Sequence, residues 1–188
     1  MALKRFVMMA LTRKGEAVQA EELAALLDEH LKFLKAGGAG GSWETLCTTS
    51  DLETGLVLGI YRGGTKKGGK QADLSMRLVE SDLNGVNLSF ANLLAVGCTN
   101  RNWDEINLEG ALLVDADLRG TSFRKANLRR ADFSRSDMQG CDLSGADLRD
   151  TDFEEVDLSG ANLTGALVTG TRFVNTCLDG VIGLEKQG

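Results

Sequence analysis

The sequence predicts an all-β solenoid, and three observations carry that prediction. A large apolar residue returns every five positions from Leu78 to Leu178, in 21 consecutive units without a slip. The residue before it is Asp or Asn in 14 of the 21 units, and the residue two after it is Gly in nine. The 188-residue chain contains no proline, as a fold that uses its backbone N–H groups in ladders requires. A period of five is neither the 3.6 of a helix nor the 2 of a plain strand, so neither element keeps the apolar residue on one face.

Each position of the unit has a physical reason. If one unit makes one side and one corner of a square coil, its central residue points inward, as does the residue two before it. The central set includes Leu118, Phe123, Leu128, Phe133, Leu143, Leu148, Phe153, Leu158, Leu163 and Phe173. The residue two before is small or β-branched in most units and Ala in eight, which leaves room for the large one. Asp or Asn bonds nearby backbone, and Gly tolerates positive φ, so both suit the corners.

The resulting motif, A(D/N)LXX, is plain in Ala-Asp-Leu at 116–118, Ala-Asn-Leu at 126–128 and Ala-Asp-Leu at 146–148. It resembles the pentapeptide-repeat family over residues 76–180. The resemblance implies a right-handed quadrilateral β-helix, with four units and 20 residues per coil. The 21 units then make about five coils and a rod about 25 Å long at ~4.8 Å per coil. Stacking by 20 predicts core columns such as Leu93–Leu113–Phe133–Phe153–Phe173 and Leu83–Trp103–Phe123–Leu143–Leu163. Inward Cys98 and Cys141 read as small apolar fillers. Arg101 falls on an inward position beside Trp103, where a bare guanidinium is costly; either the coil bulges at Gly97–Asn102 or the side chain turns outward. The basic run at 119–135 acquires acids from adjacent coils, pairing Asp104 with Arg124, Glu105 with Lys125, Glu109 with Arg129, Asp115 and Glu155 with Arg135, and Asp150 with Arg130. Charge register between coils explains it.

Two parts are predicted: a capping segment at 1–70 and the repeat β-helix at 71–188. The resemblance does not reach residues 1–70. Residues 16–36 read as an amphipathic helix with Val18, Leu23, Leu26, Leu27, Leu31 and Leu34 in one stripe, ended by Gly37, Gly38, Gly40 and Gly41. This α-helical segment is expected to cap the open β-helix end. Residues 45–62 keep a five-residue spacing at Cys47, Leu52 and Val57 and suggest a degenerate coil. Residues 63–70, GGTKKGGK, read as a basic Gly-rich loop.

Composition excludes several classes. The net charge of −6 splits into +2 over residues 1–70 and −8 over 71–188, which argues against direct nucleic-acid binding. Four separated Cys and a single His give no metal-ligand spacing and no disulfide framework. No nucleophile triad, P-loop or dinucleotide motif is present, so neither catalysis nor a cofactor is expected. The start, MALKRFVMMAL, weakly resembles a signal peptide but lacks a cleavage site, and no apolar run reaches membrane length; a cytoplasmic protein without membrane contact is expected.

The expected function is a noncatalytic interaction or scaffold module that presents rigid β-helix faces to another protein. Characterised family members include proteins that protect DNA gyrase from quinolones by resembling duplex DNA, so the resemblance implies a DNA-mimic modulator of topoisomerase as the alternative. Two surfaces are candidate partner contacts. Asp117, Asp137 and Asp157 share one register position and are expected to stack without cations between them. Phe90, Leu94, Leu112 and Val114 are expected on the outside of one side as an apolar patch, covered by the chain's own N-terminal segment or by a second molecule, a homodimer included.

Overall fold

The computed structural model describes residues 82–184, four short strands before them, and Ala25, Asp28, Glu29 and Lys32. The strands are β1 (Leu11–Arg13), β2 (Glu16–Val18), β3 (Ser42–Leu46) and β4 (Leu58–Arg62).

Residues 82–184 form the solenoid. Parallel bridges join residues 20 apart in unbroken series, such as Asn87↔Asn107↔Asn127↔Asp147↔Leu167. A coil therefore holds four five-residue units. The hydrogen bonds show why the period is so strict. The central N–H of each unit donates to a carbonyl in the next coil, as Leu88 does to Asn107 at 2.8 Å and Leu148 to Leu167 at 2.9 Å. The N–H before it donates back to the previous coil, as Asp132 does to Ala111 at 3.0 Å. Inserting a single residue would break both ladders at once.

Each corner is a tight turn closed across three residues, as in Ala91 N–H to Leu88 carbonyl at 3.1 Å. Its third residue has positive φ, the type II pattern. Every fifth residue from Gly85 to Gly180 lies between +53° and +75°. Non-glycine residues occupy many of these corners, so the ladder bonds hold them in a region that side chains disfavour.

The interior is predominantly apolar. The central residues from Leu83 to Leu163 are at most 2% exposed. Phe133 stacks on Phe153 (centroids 5.4 Å apart) and Phe153 on Phe173 (5.7 Å), while Trp103 meets Phe123 edge-on at 5.5 Å. The predicted columns of residues 20 apart are thus present in the core. Hydroxyls at the small inward position donate to carbonyls of the preceding coil, as Ser136 does to Leu113 at 2.6 Å and Thr151 to Leu128 at 2.8 Å. Cys141 does the same toward Leu118, and burial pushes its thiol up to about 12. It is an inert filler.

Two sequence expectations change here. No bulge forms at Gly97–Asn102: the bridges Gly97↔Asp117 and Asn102↔Ser122 are both kept. Arg101 instead curls back, half-buried, and its Nε donates to the Thr99 carbonyl at 3.0 Å. The N-terminal reading is also revised. Glu16–Val18 pair antiparallel with Leu11–Arg13, so a helix does not begin at Glu16; two residues including Gly15 separate the strands, a hairpin spacing. Ala25, Asp28, Glu29 and Lys32 are helical. β3 and β4 pair antiparallel from Ser42↔Arg62 to Leu46↔Leu58, whereas coils stack in parallel; Cys47, Leu52 and Val57, on which a degenerate coil at 45–62 was expected, lie outside the described residues. The helical cap's place on the coils and the loop at 63–70 lie outside the described residues.

Candidate functional site

The side centred on Cys98, Leu118, Met138, Leu158 and Leu178 carries the predicted acidic strip. Each acid precedes a buried central residue, so alternation along the short strand turns its carboxylate outward. The ladder then sets Asp117, Asp137 and Asp157 in line, one per coil. The side chains of Asp117 and Asp137 are 43% and 36% exposed.

The strip is not free of cations. Arg119 lies two residues after Asp117 and grips it with Nε at 2.8 Å and Nη2 at 2.7 Å, while Nε also stands 3.6 Å from Asp137. Gln139 donates to Asp157 at 2.8 Å and to Asp137 at 3.5 Å. Turn bonds hold the carboxylates as well: Asp137 accepts the Gln139 N–H and Asp157 the Ser159 N–H. Among the described residues Arg119 is the one cation paired with the strip, and it reaches only Asp117 and Asp137, so a net negative strip survives with its side chains positioned by hydrogen bonds.

Beside the strip runs a corner of Gly120, Gly140, Gly160 and Gly180. A Cβ at Gly140 or Gly160 would meet nothing within 4 Å, whereas Gly120 is overhung by the Asn100 side chain. The middle of this edge is bare backbone. Across it, Asp142 accepts from Asn162 Nδ2 at 3.2 Å. Exposed backbone at Gly140 and Gly160 is thus bordered by ordered carboxylates.

The apolar set is placed differently from expectation. Phe90, Leu94, Leu112 and Val114 are 6%, 5%, 0% and 1% exposed. They are not an open patch, because single-unit reasoning equates an outward position with a wet one. Among the expected inter-coil ion pairs, Asp104 holds Arg124 through two nitrogens at 3.0 and 2.7 Å, and Asp115 holds Arg135 at 2.8 Å through two. The sequence reading missed the pairs within one turn, Asp117–Arg119 and Asp147–Arg149. Their signal was present as Asp-Leu-Arg at 117–119 and 147–149, since residues two apart in a strand share a face.

These bonds give stability a sign with pH. Arg119 beside Asp117 and Arg149 beside Asp147 hold those carboxyls below their usual range. Arg172 does so for Glu154, and the hydroxyl and N–H of Ser159 for Asp157. At Asp104 burial acts upward, but the bonds from Arg124 and Ser122 outweigh it and the net direction is down. A carboxyl lowered by folding stabilises above its unfolded pKa and loses that contribution as pH falls through the folded value. Asp132 has the opposite sign, because burial raises it. With five lowered groups against one raised, the urea midpoint should decline below about pH 4. A midpoint that rises on acidification through that range would contradict the assignment.

Residues 107–181 match the family model described as a pentapeptide repeat region. No curated protein matches the chain. Among solved structures it is similar to a pentapeptide repeat protein, Rfr23, from the cyanobacterium Cyanothece 51142, at 24% identity over 52% of this chain and 83% of that one, with a TM-score of 0.45. It is similar to HetL from the cyanobacterium Nostoc sp. strain PCC 7120, a protein involved in heterocyst differentiation regulation, at 29% identity over 60% of this chain and 54% of that one, with a TM-score of 0.43. A pentapeptide repeat protein from the Arabidopsis thaliana thylakoid lumen matches at 26% identity over 53% of this chain and 63% of that one, with a TM-score of 0.40. The matches span less than two thirds of the last two chains. The strict five-residue period, the 20-residue coil and the family match together identify residues 107–181 as a pentapeptide repeat region.

Proposed function

We propose that the coils are a noncatalytic protein-binding module and that the side bearing Asp117, Asp137 and Asp157 docks a basic surface of a partner protein. The observation that carries this reading is the line of three outward carboxylates, spaced by the coil repeat and, among the described residues, ion-paired only with Arg119. The scaffold supplies rigidity, so little ordering entropy opposes binding. Charge complementarity along a line supplies register and speeds encounter.

The triple replacement Asp117→Asn, Asp137→Asn and Asp157→Asn keeps the turn acceptors but removes the charge. Partner proteins captured from the source cells by the natural chain should be lost with the variant, and the loss should be mimicked by added salt. Undiminished capture by a variant with an unchanged circular dichroism spectrum rules this side out.

The same carboxylate line favours a second reading, a DNA-mimic modulator of gyrase, because a rod with regularly spaced negative charge offers a phosphate-like edge. A gyrase supercoiling assay with and without ciprofloxacin separates the two. Protection that vanishes in the triple variant supports mimicry, and no effect of the natural chain on gyrase leaves only the first reading.

A further inference from the structure

At two corners of the solenoid a glycine decides where a charged side chain lies. Glu105, Lys125 and Gly145 succeed one another down the corner that ends the side centred on Trp103, Phe123 and Leu143, all with positive φ. Lys125 leans toward the following coil: its Cγ stands 3.6 Å from the place a Cβ on Gly145 would take. Glu105 is in the preceding coil, so the lysine leans away from the acid it was expected to meet. At the next corner Asp150 overhangs Gly170 in the same way, and the expected pair of Asp150 with Arg130 is absent. The corner of Asp115, Arg135 and Glu155 has no glycine in these coils and keeps its Asp115–Arg135 pair.

Around the first of these corners lies a cleft of about 330 Å³, lined by Asp104, Glu105, Arg124, Lys125 and Ser144. Its polar groups fall into two sets. Asp104 and Arg124 satisfy each other. Asp104 Oδ2 accepts from Arg124 Nε at 3.0 Å and Nη2 at 2.7 Å, while Oδ1 accepts the Arg124 N–H at 3.0 Å and the Ser122 hydroxyl at 2.5 Å. The Glu105 carboxylate, the Lys125 ammonium and the Ser144 hydroxyl, by contrast, bond none of the described residues. The backbone that carries them is fixed. The Glu105 N–H donates to the Arg124 carbonyl at 2.9 Å, and the Lys125 N–H to the Ser144 carbonyl at 3.0 Å. The cleft thus has a neutral, internally paired floor, an unmatched negative charge at one end and an unmatched positive charge at the other.

This arrangement selects a ligand by charge. A simple anion would gain Lys125 but be repelled by Glu105, and a simple cation would meet the reverse. A molecule carrying both charges is matched at both ends, and charge-assisted hydrogen bonds would orient it. The volume lies at the small end of ligand pockets, about 300–1,000 Å³.

We propose that this corner cleft binds a small zwitterion of the amino-acid class, with its ammonium on Glu105 and its carboxylate on Lys125 and the Ser144 hydroxyl. The ligand spans neighbouring coils along the solenoid axis. The side centred on Trp103, Phe123 and Leu143 separates the cleft from the acidic strip, so this binding is independent of docking there.

Amide NMR titration of the full chain tests it. The probes are glycine, β-alanine, γ-aminobutyrate and ε-aminocaproate, which widen the gap between the two charges stepwise, with propionate and propylammonium as single-charge controls. One spacing should shift the Glu105, Lys125 and Ser144 amide signals along a saturating curve, with a Kd on the order of 1–10 mM because exposed ion pairs are weak. Propionate and propylammonium should not saturate over that range. Glu105→Gln and Lys125→Met, both at exposed positions, should each weaken the best zwitterion to the level of the single-charge controls. Asp150→Asn, outside the cleft, should leave it unchanged. The proposal is overturned if no zwitterion saturates these signals, if a single-charge control binds as well, or if either cleft variant binds like the natural chain.

Discussion

Leu148→Asp should abolish the cooperative folding of the coils, the largest single-site effect expected in this chain. Leu148 is fully buried, with its N–H on the Leu167 carbonyl and its own carbonyl accepting the Thr171 hydroxyl at 2.6 Å. Its backbone cannot leave the interior without giving up both bonds to the following coil. No cation enters the described core to pair with a carboxylate there. An isolated buried carboxylate must be neutralised or expose itself, at a cost on the order of several kcal/mol. That is comparable to the whole stability of a domain, about 5–15 kcal/mol. In a solenoid each coil is stabilised mainly by the coils beside it, so a failed coil in the middle separates the two ends. Circular dichroism and urea titration should show loss of the β signal for Leu148→Asp. Leu148→Met should stay within about 1.5 kcal/mol of the natural chain, since volume and polarity are kept. A Leu148→Asp chain that melts like the natural one would mean that this residue does not face the core in solution.

The coils were legible because the same reasoning repeats. Leu118, Phe123, Leu128, Phe133 and their equivalents all occupy one position of one unit, so the repeated pattern tests each assignment many times. Stacking by 20 then fixed which residues meet, and it found Asp104–Arg124 and Asp115–Arg135 correctly. It missed Asp117–Arg119 because attention to the next coil obscured the neighbour two residues away. The carboxylate strip was placed rightly and its environment was not: Arg119 and Gln139 reach along the strip, and long side chains are not confined to their own coil. Leu112 and Val114 failed for another reason. Outward direction follows from the unit, but burial depends on what else the chain places over that face. Glu16–Val18 shows the same limit, since three residues that continue a helical stripe found an antiparallel partner in Leu11–Arg13. Pattern is a weak prior where tertiary pairing competes with it.

Phe153→Ala should be the second large effect, and its dependence on position distinguishes a packed column from a row of independent residues. The Phe153 ring is fully buried between two stacked neighbours, Phe133 at 5.4 Å and Phe173 at 5.7 Å, with interplanar angles of 26° and 17°. Truncation removes the ring's burial and leaves a cavity that ladder bonds on both sides keep from collapsing. The expected cost is about 3–5 kcal/mol, part of which is the loss of two ring contacts worth about 0.5–1.5 kcal/mol each. Phe173 has the same chemistry and column but lies in the last coil, only partly buried, with Phe153 on one side. Phe173→Ala should therefore cost clearly less, because it loses one stacked neighbour and its site opens toward solvent. The double variant tests the coupling. The rings touch, so the two losses should not add: whichever ring is removed first takes the shared contact with it, and the pair should cost less than the sum by about 0.5–1.5 kcal/mol. Equal costs at the two positions, or strict additivity in the double variant, would show that the aromatic column does not act as a continuous stack.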